Sequence, residues 1–341
     1  MKKKKRKLLF ILLIPVALIV VLVGVVMISN AIDMRNPTIH QFTQVSDENA
    51  PVVYMTTDIS PEGLMAVYQA LGVSPEGRVA VKISTGEPSN SNYLRPELIK
   101  DLVKMVDGTL VETNTAYGGR RASTAFHLQV AEDHGFTAIA PVDILDSDGE
   151  IRVPVNTGNR LSENIIGANF DNYDFHIILS HFKGHQMAGY GGAMKNISIG
   201  YASATGKGLI HGGGRSNSPT LGMVLSMAGG QTAFLEAMAD AAGAIIERVG
   251  DNIIYINVMN RLSVDCDCVG NPAEPDMHDI GILASLDPVA LDKASIDLIY
   301  GADDGQSLIA RIEGRNGLRT LEYANVLGLG NWEYRLVSID D

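Results

Sequence analysis

Ser180-His181-Phe182-Lys183-Gly184-His185 holds two imidazoles and an ammonium within five positions, directly after the apolar run Phe175–Leu179. In an extended chain alternate side chains share a face, so His181, Lys183 and His185 are expected to project together. Imidazoles suit proton transfer or metal ligation, and a lysine suits an anion or a carbonyl group. These three are the candidate catalytic residues. The competing reading is a polar strand end meeting water.

Other segments add to that chemistry. Gly189-Tyr190-Gly191-Gly192-Ala193-Met194-Lys195-Asn196 is a glycine-rich loop leading into a helix start. Free backbone N–H groups there would cradle an anion, which makes Gly191, Gly192, Lys195 and Asn196 candidate ligand contacts. The spacing is neither that of a nucleotide P-loop nor that of a dinucleotide fingerprint. Thr205-Gly206-Lys207-Gly208 and His211-Gly212-Gly213-Gly214-Arg215 bring more cations and a third imidazole, His211.

Asp265-Cys266-Asp267-Cys268 carries the two cysteines of the chain. A disulfide across one intervening residue is strained, so the pair reads as free thiols. Two thiolates so close can grip one soft or borderline ion, zinc or iron(II), that still needs about two more ligands. His181, His185 and His211 are the candidates. Two cysteines are half of an iron–sulfur site, so a complete cluster within one chain is not expected. The alternative is a pair of unmetallated thiols serving as small side chains.

Lys82-Ile83-Ser84-Thr85-Gly86-Glu87 and Glu112-Thr113-Asn114-Thr115-Ala116-Tyr117 each end an apolar stretch, and Gly118-Gly119-Arg120-Arg121 follows the second. Lys82, Glu87, Asn114 and Arg120 complete the candidate anion-binding set. Their common position at strand C-terminal ends implies one shared cleft.

The elements that must position these residues alternate between strand and helix. Strands are expected at Val52–Met55, Arg78–Ile83, Thr109–Glu112, Phe175–Leu179, Ile253–Val258, Ile280–Ala284 and Tyr334–Ile339, with Ile151–Val155 as one arm of a hairpin. Helices are expected from Pro61 to about Leu71 with Ser60 as N-cap, and at Pro96–Val106, Ser123–His134 and Thr232–Arg248. Two more follow, one from Asp287 to Tyr300 and one near Leu318–Val326. Residues 184–230 read as loops with one or two short helices. The alternation predicts an α/β fold with a mainly parallel, doubly wound sheet, in one domain or two subdomains.

The N-terminus has another character. Residues 1–7 form a basic tail with six cations from Lys2 to Lys7, and Leu8 to Ile28 then runs without a charged or polar side chain. At about 1.5 Å per residue, that run spans roughly 30 Å, a bilayer core. The basic flank predicts a single-pass membrane helix over 8–28, with the rest extracytoplasmic and 29–51 as a linker. A cleaved signal peptide is the other reading. Without the six N-terminal cations the chain has 21 Lys and Arg against 39 Asp and Glu, a net of −18. That acidity argues against nucleic-acid binding.

Taken together, Lys82–Glu87, Glu112–Arg121, His181–His185, Gly191–Gly200, Asp265–Cys268, Asp279–Asp292 and Leu321–Tyr334 resemble the domain of unknown function 362 family over roughly residues 52–340. That family is distantly similar in fold to the nickel-pincer lactate racemases. The chain departs from the family pattern in having Ser84-Thr85 where a histidine–phenylalanine pair is usual, and in lacking the four-cysteine ferredoxin module of many members. The combined expectation is a membrane-anchored, metal- or anion-binding enzyme-like domain with proton-transfer or isomerase chemistry. A non-catalytic surface domain using the same cleft is the alternative.

Overall fold

A computed structural model describes residues 37–228 and 230–340. The basic tail, the membrane helix expected over 8–28 and the first part of the linker lie outside the described residues. Among the described residues no helix is long and apolar enough to cross a membrane.

Eight strands form one sheet. In chain order they are β1 (Val52–Thr56), β2 (Val79–Lys82), β3 (Thr109–Glu112), β4 (Val142–Ile144), β7 (Phe175–His181), β10 (Ile253–Met259), β11 (Gly281–Ser285) and β12 (Arg335–Ser338). The intervening strands make two small hairpins, β5 (Glu150–Pro154) with β6 (Glu163–Gly167), and β8 (Lys183–His185) with β9 (Gly189–Gly191). The sheet order is β12-β1-β11-β10-β7-β2-β3-β4, and β11 alone runs against the others. The mainly parallel central sheet is as expected.

The central strands read as continuous apolar runs because both faces are covered. In β7, Ile177 and Leu179 join a core with Leu64, Ile99 and Leu102, whereas Ile178 joins a core with Ile245, Leu291 and Ile296. Each such side chain contributes about 1.5–3 kcal/mol by leaving water. Caps set the helix starts. The Ser60 hydroxyl accepts the Gly63 N–H ahead of Pro61–Ala70. The Asp287 carboxylate accepts the N–H groups of Val289 and Ala290 ahead of Pro288–Tyr300.

The chain leaves β2 towards β3 on one side and leaves β7 towards β10 on the other. The β2/β7 boundary is therefore a topological switch point, where strand C-terminal ends open a crevice.

Residues 184–230 are more ordered than expected. They hold the β8–β9 hairpin and the helices Ala193–Ser198, Ala204–His211 and Pro219–Met227. Short, glycine-rich elements carry little hydrophobic periodicity; close backbone contact specifies them instead. A Cβ on Gly222 would lie 2.0 Å from the Gly208 carbonyl oxygen, so the last two helices need glycine where they meet. The described part of the linker also differs from a free tether. The Thr38 N–H donates to Asn316 Oδ1 at 2.8 Å, His40 Nε2 meets Asp297 at 2.6 Å, and Gln44 bridges to Tyr334.

Candidate functional site

A cavity of about 340 Å³ sits at the switch point. Its walls include Lys82 at the end of β2 and Ser84 beyond it, Glu112 and Thr113 at β3, Ser180 and His181 of β7, and Lys195, Asn196, Lys207, His211, Cys266 and Cys268 from later segments. Lys82 and His181 thus share one cleft, as their strand-end positions imply.

Glu112 organises the strand-end side. Its carboxylate receives Lys82 Nζ at 3.1 Å, Arg121 Nη1 at 3.3 Å and the backbone N–H groups of Thr85 and Thr113. Burial pushes this carboxyl up, but Lys82, His127, Arg121 and Lys207 together hold it at about 2. Glu87 lies one layer back, accepting from Arg121 Nε at 2.8 Å and from the Tyr117 hydroxyl. Asn114 is also structural: its side-chain amide donates to Thr124, and its carbonyl accepts from Lys207. The expected arginine, Arg120, is exposed and pairs with Asp133. Its neighbour Arg121 points inward instead. The sequence offered two adjacent arginines, and only the short 3-10 turn at Arg120–Ala122 selects between them.

Two further lysines face the cavity. Lys207 is buried and donates to Thr113 Oγ1, Asn114 O and Ala202 O; burial lowers its ammonium to about 7, against the carboxylates of Asp146 and Glu112. Lys195 is half-buried, and its ammonium has neither hydrogen bond nor ion pair among the described residues. Burial, reinforced by the charge of Lys82, lowers it to about 8. Asn196 is tied to Lys82 O, Leu179 O and Ser180 Oγ, which fixes the start of its helix over the strand ends.

Two N–H groups of the glycine loop are already bonded within the protein. Those of Ala193 and Met194 donate to the Asp292 carboxylate at 2.7 and 2.9 Å, and Asn257 Nδ2 donates to it at 2.8 Å. Gly192 is needed because a Cβ there would lie 2.3 Å from Asp292 Oδ1. Asp292 thus takes, from within the protein, the two N–H groups that follow Gly191 and Gly192. Both glycines still line the cavity.

The imidazoles divide by their partners. His181 places Nδ1 on Asp267 at 2.9 Å and Nε2 on the Asn260 carbonyl at 2.9 Å, so neither nitrogen is open to a metal. Lys183 is fully buried on Asp267 and the Asn92 carbonyl, and does not line the cavity. The two side chains expected to do chemistry hold Asp267 in place, and His181 also lines the cavity. Burial pushes that carboxyl up, but His181 and Lys183 hold it at about 2. His185 accepts the Met187 and Ala188 N–H groups at Nδ1, which assigns its proton to Nε2. His211 is the converse, with Nδ1 against the Lys207 carbonyl at 2.7 Å, which assigns its lone pair to Nε2. Burial keeps both rings neutral, His211 at about 4.

Cys266 and Cys268 are joined in a disulfide, where free thiols were expected. The ligand atoms of His185, Cys266 and Cys268 lie within 4.8 Å of one another, a spacing compatible with one metal ion. His181 and His211 are not in that group, which corrects the wider ligand set. A disulfide supplies no thiolate, and His185 carries its proton on Nε2, so the donors fit a metal only after reduction.

Residues 79–297 match the family described as Domain of unknown function (DUF362). The chain belongs to that family. No curated protein matches the sequence. Among solved structures, the lactate racemase apoprotein from Thermoanaerobacterium thermosaccharolyticum is similar at 17% identity and TM-score 0.36, covering 63% of this chain and 52% of that one. A Thermotoga maritima protein is similar at 12% identity and TM-score 0.38, covering 78% and 58%. This DUF362 chain thus spans little more than half the length of either. Its cavity residues Lys82, Glu112, Arg121, His185, Lys195, Lys207 and His211 all fall within the matched region. Lys207, Arg121 and Asp267 were missed as site residues; each stood beside a residue or in a segment already singled out.

Proposed function

We propose that this DUF362 chain is a membrane-anchored domain that binds a small carboxylate or phosphate in the cation-lined cavity and moves a proton on it. The observation that carries the reading is the Lys195 ammonium, which faces the cavity with no partner among the described residues. A half-buried cation with no direct hydrogen-bond or ion-pair partner is incompletely compensated by the carboxylates of Glu112 and Asp267, and an anionic ligand would complete that compensation. His185 offers an N–H donor and His211 a lone pair, a neutral pair suited to proton donation and acceptance at one ligand. Lys195 itself, lowered to about 8, is near the range where it can lose a proton at neutral pH.

Calorimetric titration with methyl phosphate and acetate tests the binding step. Lys195→Met is expected to weaken binding about tenfold or more, the worth of a hydrogen bond to a charged group. Equal affinity in wild type and variant would sink the reading. Exchange of ligand C–H for deuterium in heavy water separates catalysis from the non-catalytic alternative: no exchange with any bound anion favours the latter.

A second reading rests on the His185–Cys266–Cys268 group. When the disulfide is reduced, the two thiolates and His185 Nε2 would hold one zinc or iron(II) ion, with the ring proton moving from Nε2 to Nδ1 and displacing the Met187 and Ala188 N–H groups from it. Elemental analysis is expected to find about one equivalent in reduced protein and none in oxidised protein or in the Cys266→Ser, Cys268→Ser double variant. Under half an equivalent in reduced protein rules the site out.

The anchor rests on the apolar run Leu8–Ile28 and its basic flank. Protease added to intact cells should digest residues 37–340; survival of the domain alongside a cytoplasmic marker would refute the topology.

A further inference from the structure

The cavity wall is not uniformly ionic. Lys82 and Glu112 come from strand ends and Arg121 from the 3-10 turn after β3, but Met187, Met223 and Phe234 also line it. Met187 lies in the turn of the β8–β9 hairpin, and Met223 and Phe234 on later helices: Phe234 stacks on the His211 ring at 4.7 Å, and Gln231 of the same helix donates to the Met187 carbonyl at 2.7 Å. A ligand made only of an oxyanion would leave this side of the cavity unused.

Helix Pro219–Met227 extends the apolar wall outward. Its Gly222 and Ser226 are buried, and its Met223 reaches the cavity. At about 100° per residue, Met223, Met227, Val224 and Leu221 follow one another around the helix. The last three are exposed, Met227 at 61%, Val224 at 51% and Leu221 at 49%. Apolar surface therefore continues from the cavity wall to the outside of the molecule. Exposed apolar surface joined to a pocket marks a binding groove more often than isolated surface residues do.

We propose that the ligand is an anionic amphiphile, with its oxyanion head at Lys195 and a hydrocarbon tail that runs past Met187, Phe234 and Met223 onto the outer face of Pro219–Met227. The proposal rests on the anion reading of the cavity and adds the ligand class. It also gives the exposed face an occupant: a tail covering Val224 and Leu221 removes from water the apolar surface the fold leaves open.

The test is calorimetry on the full chain in non-ionic detergent with methyl, butyl and hexyl phosphate and with hexanol. Affinity is expected to rise with chain length, by up to about fourfold per buried methylene. Hexanol should bind far more weakly than hexyl phosphate. Met223→Gln should weaken hexyl phosphate more than methyl phosphate, whereas Lys195→Met should weaken both alike. Methyl and hexyl phosphate binding equally well would overturn the amphiphile while leaving the anion reading intact. Binding of no phosphate at all would overturn both. Hexanol binding as tightly as hexyl phosphate would also overturn the proposal. So would a Leu221→Gln, Val224→Gln variant that loses self-association while keeping the full chain-length gain, because the face would then belong to a second copy of the chain.

Discussion

Replacing Glu112 with glutamine is expected to lower the unfolding free energy by about 3–5 kcal/mol, the usual cost of removing one partner of a buried ion pair. Lys82 is 1% exposed and Arg121 3%, and Glu112 is the carboxylate that joins them. Glutamine keeps the shape but leaves Lys82 without a counter-ion, and its amide faces donors where an oxygen stood. Urea unfolding measures the effect, and a loss below about 1 kcal/mol would show that water or ligand screens the cluster. The same group sets the acid limit. Glu112 and Asp267, each at about 2 in the fold, lie below the ordinary values of 4.5 and 3.8. A depressed carboxyl contributes stability that is present above its unfolded value and lost as pH falls through its folded one. The domain should therefore lose stability between about pH 4.5 and 2, and Glu112→Gln should flatten that limb.

Asp292→Ala is the second large change. The carboxylate is buried and takes two backbone N–H groups and the Asn257 amide. Each donor left unsatisfied costs about 1–3 kcal/mol, so the total is on the order of 3–5 kcal/mol or more. The damage should reach the site, because the helix Ala193–Ser198 begins on Asp292 and carries Lys195 and Asn196. Anion affinity should fall along with stability. Asp287→Ala, which removes the N-cap of Pro288–Tyr300, is the control, at about 0.5–2 kcal/mol and with anion binding retained. Equal losses in the two variants would mean that Asp292 is an ordinary cap and not the foundation of the cavity.

How much was legible beforehand depends on the range over which a signal acts. Ser60-Pro61 and Asp287-Pro288 mark helix starts through contacts within three residues, and the structure places helices there. The apolar runs at β7, β10 and β11 announced strands buried on both faces. Polar segments after those runs predicted a common cleft, because parallel strands bring their C-terminal ends to one edge. The expected membrane anchor lies outside the described residues, and the described part of the linker is held by Asp297 and Asn316, partners more than 250 residues away.

Residue types and spacing therefore determined the α/β class, and the motifs carried the resemblance to the family that the comparison then showed. Only the tertiary structure decided which polar groups are free. His181 and Lys183 are spent on Asp267, the glycine-loop amides on Asp292, and Arg121 rather than Arg120 turns inward, while Lys195 is left to the cavity. The physical reason is that hydrogen bonds and charges in a low-dielectric interior are satisfied by whichever partner the fold brings within about 3 Å. Separations of 79 to 99 residues divide His181 from Asn260 and Asp267, and the glycine loop from Asp292, so no local pattern could reveal those pairings.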